Sequence, residues 1–228
     1  MKVNLRSVVS TLVLAAAFVN AQTSAHAWSY SASGQWASVS YSDGWTVYQD
    51  EWGSSATAWL NANNSGNFGC SVNFTGGGVK NYCHTQKNCN LTLGGGHWCT
   101  SNYNNTPGSG MYDFMYDLWS GNMADEIMIY TNKTTPTGGW GRQINGSVNI
   151  GGTNYSQVWQ VTNGHNIIMF YGSEGTSGTR DLYSVMNWCY QKGLLHNNLF
   201  YQVSYGVEVT STNGWQNFNV NSFWCGWA

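Results

Sequence analysis

Short runs of alternating apolar and polar residues fill most of the chain and predict β-strands. In the stretch 112–118 every second residue is apolar, namely Tyr112, Phe114, Tyr116 and Leu118. Because successive side chains of a strand point to opposite faces, one face of each such strand is apolar and packs in a core. Glycine-rich turns, for example at 76–78 and 94–96, separate the runs. This pattern is typical of an all-β, antiparallel two-sheet sandwich.

One segment departs from the two-residue period and predicts a single α-helix. From Asp181 to Lys192 the apolar residues are spaced three or four positions apart. Thr179 is available as the N-cap, and Gly193 follows the last turn, where glycine commonly ends a helix. We therefore expect one helix packed on a sheet.

The N-terminus, residues 1–27, has the layout of a secretory signal peptide. Basic residues precede an apolar stretch at 8–19, and an Ala-His-Ala triplet at 25–27 provides the small residues of a cleavage site. The apolar stretch is shorter than the roughly 20 residues that span a bilayer. We expect cleavage before Trp28, or after Ala21, and a secreted protein, with the periplasm as the alternative to the extracellular space.

The remaining residues, 28–228, are enough for one domain with a full core. Charged residues are only 8% of the sequence, against roughly 25% in an average globular protein. The 13 Trp, 14 Tyr and 8 Phe suit a neutral, hydroxyl-rich ligand, because an aromatic ring can cover the apolar face of a sugar. Nucleic acid is not expected as a partner, since Lys and Arg are few and scattered. We also expect no membrane association, no cofactor and a monomer.

Six cysteines follow the signal peptide: Cys70, Cys83, Cys89, Cys99, Cys189 and Cys225. An even count in a secreted chain predicts disulfides, with 15 connectivities open for six cysteines. The alternative is a metal site built from the Cys and His residues within 83–99. The paired C-x₂₋₄-C spacing of such sites is absent, so we favour disulfides and expect no metal.

Carboxylates are scarce, and two of the four glutamates, Glu126 and Glu208, lie in predicted strands. The two-residue period places Glu126 on one face with Met128 and Tyr130, away from the isoleucines of the same strand. The face that carries Glu208 also carries Gln202, Ser204 and Gly206, opposite an apolar face made of Tyr201, Val203, Tyr205, Val207 and Val209.

A third strand adds Asp113 and Asp117 on a face with Met111, Met115 and Trp119. Ordinary solvated strand faces carry Thr, Lys and Ser, whereas these faces mix acids with Met, Tyr and Trp. Hydrolysis of a glycosidic bond requires two such carboxyl groups, one as an acid and one that attacks or activates water. The residues alone leave open which glutamate does which.

Several short blocks of the chain resemble glycoside hydrolase family 12, the compact β-jelly-roll endoglucanases. The block Glu126-Ile127-Met128-Ile129-Tyr130 resembles the family's E-I-M-I-W strand. The other matching blocks, which occur in the family's order, are Val79-Lys80-Asn81-Tyr82, Tyr116-Asp117-Leu118, Pro136 with Gly138 and Gly139, Asp181-Leu182 at the helix start, Tyr205-Gly206-Val207-Glu208, and Ser211-Thr212-Asn213-Gly214.

This resemblance implies a jelly-roll fold and a retaining endo-β-1,4-glucanase acting on cellulose, mixed-linkage glucan or xyloglucan. It implies Glu126 as the nucleophile, Glu208 as the acid/base and Asp117 as an assisting acid. Retention would place the two glutamate carboxyls about 5 to 5.5 Å apart. Expected substrate-binding residues are Trp52, Met128, Tyr130 and Trp119.

The chain departs from the family pattern near its start and at Tyr130, and its cysteine cluster from Cys70 to Cys99 exceeds the family's usual disulfide usage. The family usually has N-N-x-W-G near its start; here Trp52 and Gly53 remain, but Gln49 and Asp50 replace the asparagines. Tyr130 replaces the tryptophan that ends the E-I-M-I-W strand. We therefore expect Trp52 to stack on sugar, without the hydrogen bonds of asparagine side chains.

Two other functions fit the same features. A carbohydrate-binding module or lectin of similar fold would also present aromatic faces, but it has no need of a pair of cleft glutamates. A xylanase of the related jelly-roll family also uses two glutamates, but its strand motif usually contains E-Y-Y rather than E-I-M-I.

Overall fold

The computed structural model describes residues 27–52, 58–138, 141–162 and 164–228. The signal-peptide prediction and Gly53 and Gly139 thus fall outside the described residues, except for Ala27. The strands are β1 Tyr30–Ser33, β2 Ser38–Ser40, β3 Thr46–Tyr48, β4 Ala58–Asn64, β5 Asn67–Val72, β6 Asn81–Thr92, β7 Cys99–Thr106, β8 Gly110–Ser120, β9 Asp125–Lys133, β10 Arg142–Asn145, β11 Val148–Ile150, β12 Thr153–Tyr155, β13 Gln157–Val161, β14 Asn166–Tyr171, β15 Ser177–Asp181, β16 Leu199–Thr212 and β17 Gln216–Trp227.

Two large sheets form a sandwich, as the alternating pattern predicts. The first has six strands in the order β1-β4-β5-β17-β7-β15, and the second has nine in the order β10-β13-β14-β9-β8-β16-β6-β3-β2. A small hairpin pairs β11 with β12. All pairings are antiparallel except β14 with β9, which run parallel. The long, neighbouring strands β9, β8 and β16 form the middle of the nine-stranded sheet.

The main core lies between the two sheets and takes the apolar face of each strand. In β8 the four residues Tyr112, Phe114, Tyr116 and Leu118 are buried in it, as predicted. In β16 the prediction was wrong at one position: Phe200, rather than Tyr201, belongs to this core. A bulge between Phe200 and Gln202 shifts the register there, so Tyr201 is partly exposed and its hydroxyl accepts a hydrogen bond from Asn88.

A second apolar cluster lies on the opposite face of the nine-stranded sheet. It consists of Tyr82, Met115, Met128, Tyr130, Met169 and Tyr171, all at most 6% exposed. Tyr130 and Tyr171 are stacked, with ring centroids 4.6 Å apart and planes 8° apart. The middle of this sheet is therefore apolar on both faces, and its outer face forms the floor beneath the carboxylates described below.

The helix α1, Leu182–Gln191, is the only α-helix among the described ranges. Its N-cap is Asp181 and not Thr179, which lies in β15. The Asp181 carboxylate accepts hydrogen bonds from the Ser184 backbone N–H (2.9 Å) and hydroxyl (2.7 Å). An aspartate in this position satisfies a free N–H of the first turn and opposes the positive end of the helix dipole. Gly193, with φ of +67°, follows the helix as predicted.

The six cysteines are all buried and unbonded in this structure. Cys99 and Cys225, on neighbouring strands of the six-stranded sheet, have sulfur atoms 3.6 Å apart. Cys70 and Cys83 are neighbours across the sandwich, where Cys70 adds to the effect of burial in raising the pKa of the Cys83 thiol. The disulfide expectation therefore stays a prediction, and these are the two pairs that are placed to satisfy it. Within the described ranges no helix is long and apolar enough to cross a membrane.

Candidate active site

Three adjacent strands bring the predicted acids to one face of the nine-stranded sheet. Glu126 on β9 lies opposite Trp119 of β8, and Glu208 on β16 lies opposite Asp113 of β8. Asp117 lies between these two pairs, since its register partner on β16 is Ser204. The two glutamates thus lie on the strands that flank β8, and the side chains that β8 sends to this face separate them.

Two cavities lie along this face and share Glu208. The first, the Glu126 cavity, has a volume of about 310 Å³, and the second, the Asp113 cavity, about 320 Å³. The Glu126 cavity is lined by Asp50, Trp52, Tyr82, His84, Gln86, Asp117, Trp119, Met123, Glu126, Gln202, Ser204 and Glu208. The Asp113 cavity is lined by Val79, Met111, Asp113, Tyr130, Thr135, Pro136, Tyr171, Glu208 and Thr210.

Glu126 and Asp117 form a hydrogen-bonded pair of carboxyl groups. Burial raises the pKa of Glu126 to about 7, and the hydrogen bond with Asp117 opposes that rise. Burial and the charge of Glu126 raise the pKa of Asp117 well above its usual range, although Trp119 Nε1 donates to Asp117 Oδ2 at 3.1 Å. Two carboxyl groups this close are most stable when one is protonated and the other is ionised. The directions of their pKa shifts assign the proton to Asp117 and the negative charge to Glu126.

Glu208 has the higher pKa of the two glutamates. Burial, the facing Asp113 and then Glu126 raise the pKa of Glu208 to about 8. A carboxyl in this environment is protonated near neutral pH and can donate its proton, whereas an ionised neighbour can attack. The surroundings of the two glutamates therefore favour the protonated form more at Glu208 than at Glu126.

Asp113 is held by polar partners of its own. Its carboxylate accepts a hydrogen bond from the Thr135 hydroxyl. Burial raises the pKa of Asp113, while Thr135 and Lys133 favour its ionised form. The Lys133 ammonium also lies over the stacked rings of Tyr130 and Tyr171, at 5.7 and 5.4 Å from their centroids. The Asp113 cavity thus combines acids with an aromatic pair, and Lys133 lies beside that pair.

The structure places the predicted binding residues at different depths. Trp52 is 38% exposed and, with Trp119, lines the Glu126 cavity. Tyr130 lines the Asp113 cavity although it is only 4% exposed. Met128 is equally buried, lines neither cavity, and accepts a weak hydrogen bond from the Tyr130 hydroxyl at 3.6 Å. Met128 therefore belongs to the floor beneath the site.

Three further residues of the site were not singled out from the sequence. His165 approaches Glu126, Nε2 to Oε2, at 3.5 Å. Tyr82 is buried near Asp117, Glu208 and Glu126, and its hydroxyl has no hydrogen-bond partner. His84 stacks on Tyr82, with centroids 4.2 Å apart, and on Tyr48. Only Tyr82 had a sequence signal, as the last residue of the Val79–Tyr82 block.

Gly206 allows β16 to approach His84. A Cβ atom at this position would collide with the Cys83 carbonyl oxygen and would lie 2.5 Å from His84 Cα and Cβ. The close approach lets the His84 ring lie flat between its two tyrosines, where Nδ1 contacts the Tyr82 carbonyl and Nε2 contacts Gln86, both at 3.0 Å. Within the described part of the chain, no group of three or more His, Cys, Asp or Glu side chains could hold a metal ion.

Neither a protein-family model nor a curated protein sequence matches the chain. Solved structures do. The xyloglucanase domain of NopAA from Sinorhizobium fredii, solved with cellobiose, matches with a TM-score of 0.79 and 25% identity over 87% of this chain and 99% of that domain.

Two family 12 structures match over a similar length. The family 12 xyloglucanase of Bacillus licheniformis gives a TM-score of 0.74 at 18% identity, over 87% of this chain and 100% of the other. Endoglucanase 3 of Trichoderma harzianum, from the same family, gives 0.74 at 22% identity over 87% and 97%. The fold is thus the jelly roll of glycoside hydrolase family 12. The resemblance found in the sequence blocks is confirmed at this level.

Proposed function

We propose that the protein is a secreted glycoside hydrolase, a retaining endo-β-1,4-glucanase whose nucleophile is Glu126 and whose acid/base is Glu208. The observation that carries this proposal is that two partly buried glutamates from different strands line one cavity, together with Trp52 and Trp119. A non-catalytic sugar-binding site gains nothing from burying an acid and a carboxylate side by side, because that burial costs free energy. The solved neighbours named as xyloglucanases and endoglucanases support the same class of reaction.

The reaction has two steps. In the first, the ionised Glu126 carboxylate attacks the anomeric carbon, the bond to the leaving sugar oxygen breaks, and Glu208 gives that oxygen its proton. In the second, Glu208 takes a proton from water, the resulting hydroxide bonds to the anomeric carbon, and the ester bond to Glu126 breaks. The configuration is retained because the carbon is inverted twice. Protonated Asp117 donates a hydrogen bond to the Glu126 carboxylate and limits the delocalisation of the carboxylate's negative charge.

The arrangement of the two cavities supports internal cleavage of a chain. Glu208 lines both, so the bond that it protonates would have sugar-binding space on each side. The Glu126 cavity offers the aromatic rings of Trp52 and Trp119, and the Asp113 cavity offers Tyr130 and Tyr171. A polymer that extends in both directions from the scissile bond fits such a cleft better than a short sugar bound at a closed end.

The experiment is to incubate the mature protein with carboxymethylcellulose, mixed-linkage glucan, xyloglucan and xylan, and to measure new reducing ends and product sizes. We expect hydrolysis of at least one β-glucan, with retained configuration at the new reducing end by NMR, and loss of nearly all activity in Glu126→Gln and Glu208→Gln. Glu174→Gln is the matched control, because Glu174 is exposed and lines neither cavity. Activity confined to xylan would favour the xylanase, and binding without hydrolysis would favour the binding module.

A further inference from the structure

His165 closes a ring of four side chains around the predicted nucleophile. Its Nε2 atom is 3.5 Å from Glu126 Oε2, and its ring packs against Trp119 with centroids 5.1 Å apart. Trp119 donates to Asp117, and Asp117 is hydrogen-bonded to Glu126. The His165 Nε2 atom has no solvent contact and no other partner. Each member of the ring therefore has its orientation restricted by two others.

The other titratable groups around the Glu126 cavity come from several elements. They are Asp117 of β8, Glu208 of β16, Tyr82 and His84 of β6, and Asp50, and the register partner of Glu126 on β14 is Ile167. The His165 side chain is the only Lys, Arg or His group that the described residues place within 4.0 Å of a Glu126 oxygen. An ionised carboxylate in a buried site needs such a partner to offset its lost hydration.

We propose that His165 is a positioning residue for Glu126: its ring, packed against Trp119, places Nε2 beside Oε2 and holds that oxygen on the His165 side, which leaves the other oxygen free to attack. This role rests on the proposed function, because it assigns a task to a neighbour of the nucleophile. The separation of 3.5 Å is beyond the usual hydrogen-bond range of 2.7 to 3.2 Å, so the interaction is a close polar contact that a small ring rotation would turn into a hydrogen bond.

The test compares His165→Phe, which keeps a ring against Trp119 but has no donor or charge, with His165→Gln, which keeps a donor. In His165→Phe we expect the acid limb of kcat/KM to move to higher pH, because the ionised carboxylate loses the donor nearest to Oε2. We expect kcat to fall roughly tenfold, with a smaller change in KM. His165→Gln, which keeps a donor, should recover part of kcat and move the acid limb back toward that of the parent.

Titration of the Glu126 carboxyl by ¹³C NMR provides a readout that does not depend on hydrolysis. It should show a higher pKa in His165→Phe than in the parent, even if no glucan proves to be a substrate. His97→Phe is the control, because His97 is exposed and packs near Tyr183. An unchanged Glu126 titration in His165→Phe would overturn the role of His165, whereas an inactive parent with a shifted titration would overturn only the proposed function.

A second and independent feature lies on the six-stranded sheet. Its five adjacent strands β1, β4, β5, β17 and β7 contain no Lys, Arg, Asp or Glu. Hydrogen bonds between neutral side chains run across four of them: Ser31 donates to Asn61 (2.8 Å), Asn61 to Ser71 (3.2 Å), and Ser71 to Asn217 (2.5 Å). Exposed sheets, and their edges above all, commonly carry charged residues, so this face has an unusual chemistry.

Trp224 on β17 forms an aromatic platform at one end of this face. Its side chain is 53% exposed, and its ring lies flat over Gly226, where a Cβ atom would be 2.6 Å from Trp224 Cζ2. A hollow of about 400 Å³ opens beside the ring and is lined in part by Asp43, Asn64, Ser65 and Lys87, with the Ser65 hydroxyl donating to Asp43. A flat, half-exposed indole next to neutral and charged hydrogen-bonding groups is the combination that binds the apolar face and the hydroxyls of a sugar.

We infer that this hollow is a second binding site for a β-glucan chain, in which a glucose ring stacks on Trp224 and its hydroxyls bond to Asn64, Ser65 and Lys87. The chain would continue over the uncharged face, where Asn and Ser side chains offer neutral partners. A protein or nucleic-acid partner finds no complementary charge on these strands. The choice of β-glucan rests on the proposed function, but Trp224, on which the sugar would stack, lies on the other sheet from the two catalytic candidates.

The test is binding to insoluble β-glucan by the Glu126→Gln protein, with excess soluble cello-oligosaccharide present to fill the cleft. We expect residual binding that Trp224→Ala weakens by about three- to tenfold, the loss expected for one aromatic stacking contact. Trp215→Ala is the matched control, because Trp215 is 55% exposed at the hairpin that precedes β17.

Hydrolysis of soluble β-glucan should be the same in Trp224→Ala and in the parent. Equal binding by Trp224→Ala and Trp215→Ala, or no binding once the cleft is filled, would overturn the second site. Neither outcome would affect the proposed function, which the hydrolysis of soluble glucan tests by itself.

Discussion

Asp113 lies directly opposite Glu208 across the β8–β16 strand pair, and both side chains line the same cavity. Side chains of directly opposed residues are neighbours in an antiparallel pair, so two carboxyls in this relationship repel when both are ionised. Asp113 thus adds to the effect of burial in keeping Glu208 protonated. The Thr135 hydroxyl and Lys133 keep Asp113 itself in place.

Replacing Asp113 by Asn should lower the pKa of Glu208, because the facing negative charge is removed while the Thr135 hydrogen bond can be kept. The alkaline limb of the kcat/KM profile should then move to lower pH, and the acid limb should move little. The measurement is the pH dependence of kcat/KM on a soluble glucan. Thr135→Val is the control for loss of the hydrogen bond alone, and an alkaline limb that stays in place in Asp113→Asn contradicts the assignment.

The wild-type pH profile should have two limbs set by the two glutamates. Glu126 must be ionised, and burial raises its pKa to about 7, so kcat/KM should fall as the pH drops below that value. Glu208 must be protonated, and burial with Asp113 raises its pKa to about 8, so kcat/KM should fall again at higher pH. The two limbs belong to the interacting pair as a whole. A profile with only one limb would contradict the paired roles of the glutamates.

Replacing Glu208 by Ala should affect substrates according to their leaving group. A sugar leaving group needs the proton of Glu208, so hydrolysis of a glucan should fall by about 10²–10⁴-fold, the usual contribution of general acid catalysis. An aryl glucoside with a strongly acidic phenol leaves without protonation, so its first step should remain fast and the phenol should appear in a burst. The measurement is phenol release on the stopped-flow timescale. Equal losses for both substrates would argue against the acid role.

Asp125 should contribute to the free energy of unfolding. It precedes Glu126 in the chain and lies on the other face of β9. Burial alone would raise its pKa, but hydrogen bonds from Ser120 (2.6 Å), Asn166 (2.6 Å) and His196 (backbone N, 2.9 Å) lower it. Asp125→Ala leaves these donors unpaired and should lower the free energy of unfolding by about 2–4 kcal/mol. Urea denaturation at neutral pH measures this change.

The same carboxylate gives a signed pH dependence of stability. Because the pKa of Asp125 is lowered in the folded state, its contribution is present above the unfolded-state pKa and is lost as the pH falls through the folded-state pKa. Asp125→Ala should therefore be less stable than the parent at neutral pH and approach it in acid. A difference that stays constant into strong acid would contradict the role of the ionised carboxylate.

The cysteines should form two disulfides when the protein is made in an oxidising compartment. Cys99 with Cys225 and Cys70 with Cys83 are the pairs in contact, whereas Cys189 lies apart on α1. The intact mass of the secreted protein should be lower by two hydrogens for each bond, and peptide mapping should link these pairs. Free thiols at all four positions in the secreted protein would refute this prediction. Cys99→Ser then measures the stability that the first bond contributes.

The strands and the helix could be predicted from the local sequence because local backbone geometry and side-chain spacing determine them. The two-residue alternation in β8 placed its apolar residues in the core, since only one face of the strand meets the other sheet. Gly193 marked the helix end because a left-handed turn favours glycine. The predictions for Tyr201, as a core residue, and for Thr179, as the N-cap, were wrong because a regular spacing of apolar residues reveals neither a bulge nor the exact first residue of a helix. A bulge shifted the register of β16, and Asp181 was a better cap than Thr179 because it lies directly at the first turn.

The sequence by itself determined that Glu126, Glu208 and Asp117 lie on the face of their strands away from the core, because face alternation follows from backbone geometry. Only the tertiary structure decided that β9, β8 and β16 are neighbours, which brings these acids to one cleft. It alone also brought His165, from the turn between β13 and β14, to Glu126, and set Asp113 against Glu208. Strand order and register arise from contacts between residues far apart in the chain, and no local pattern contains them.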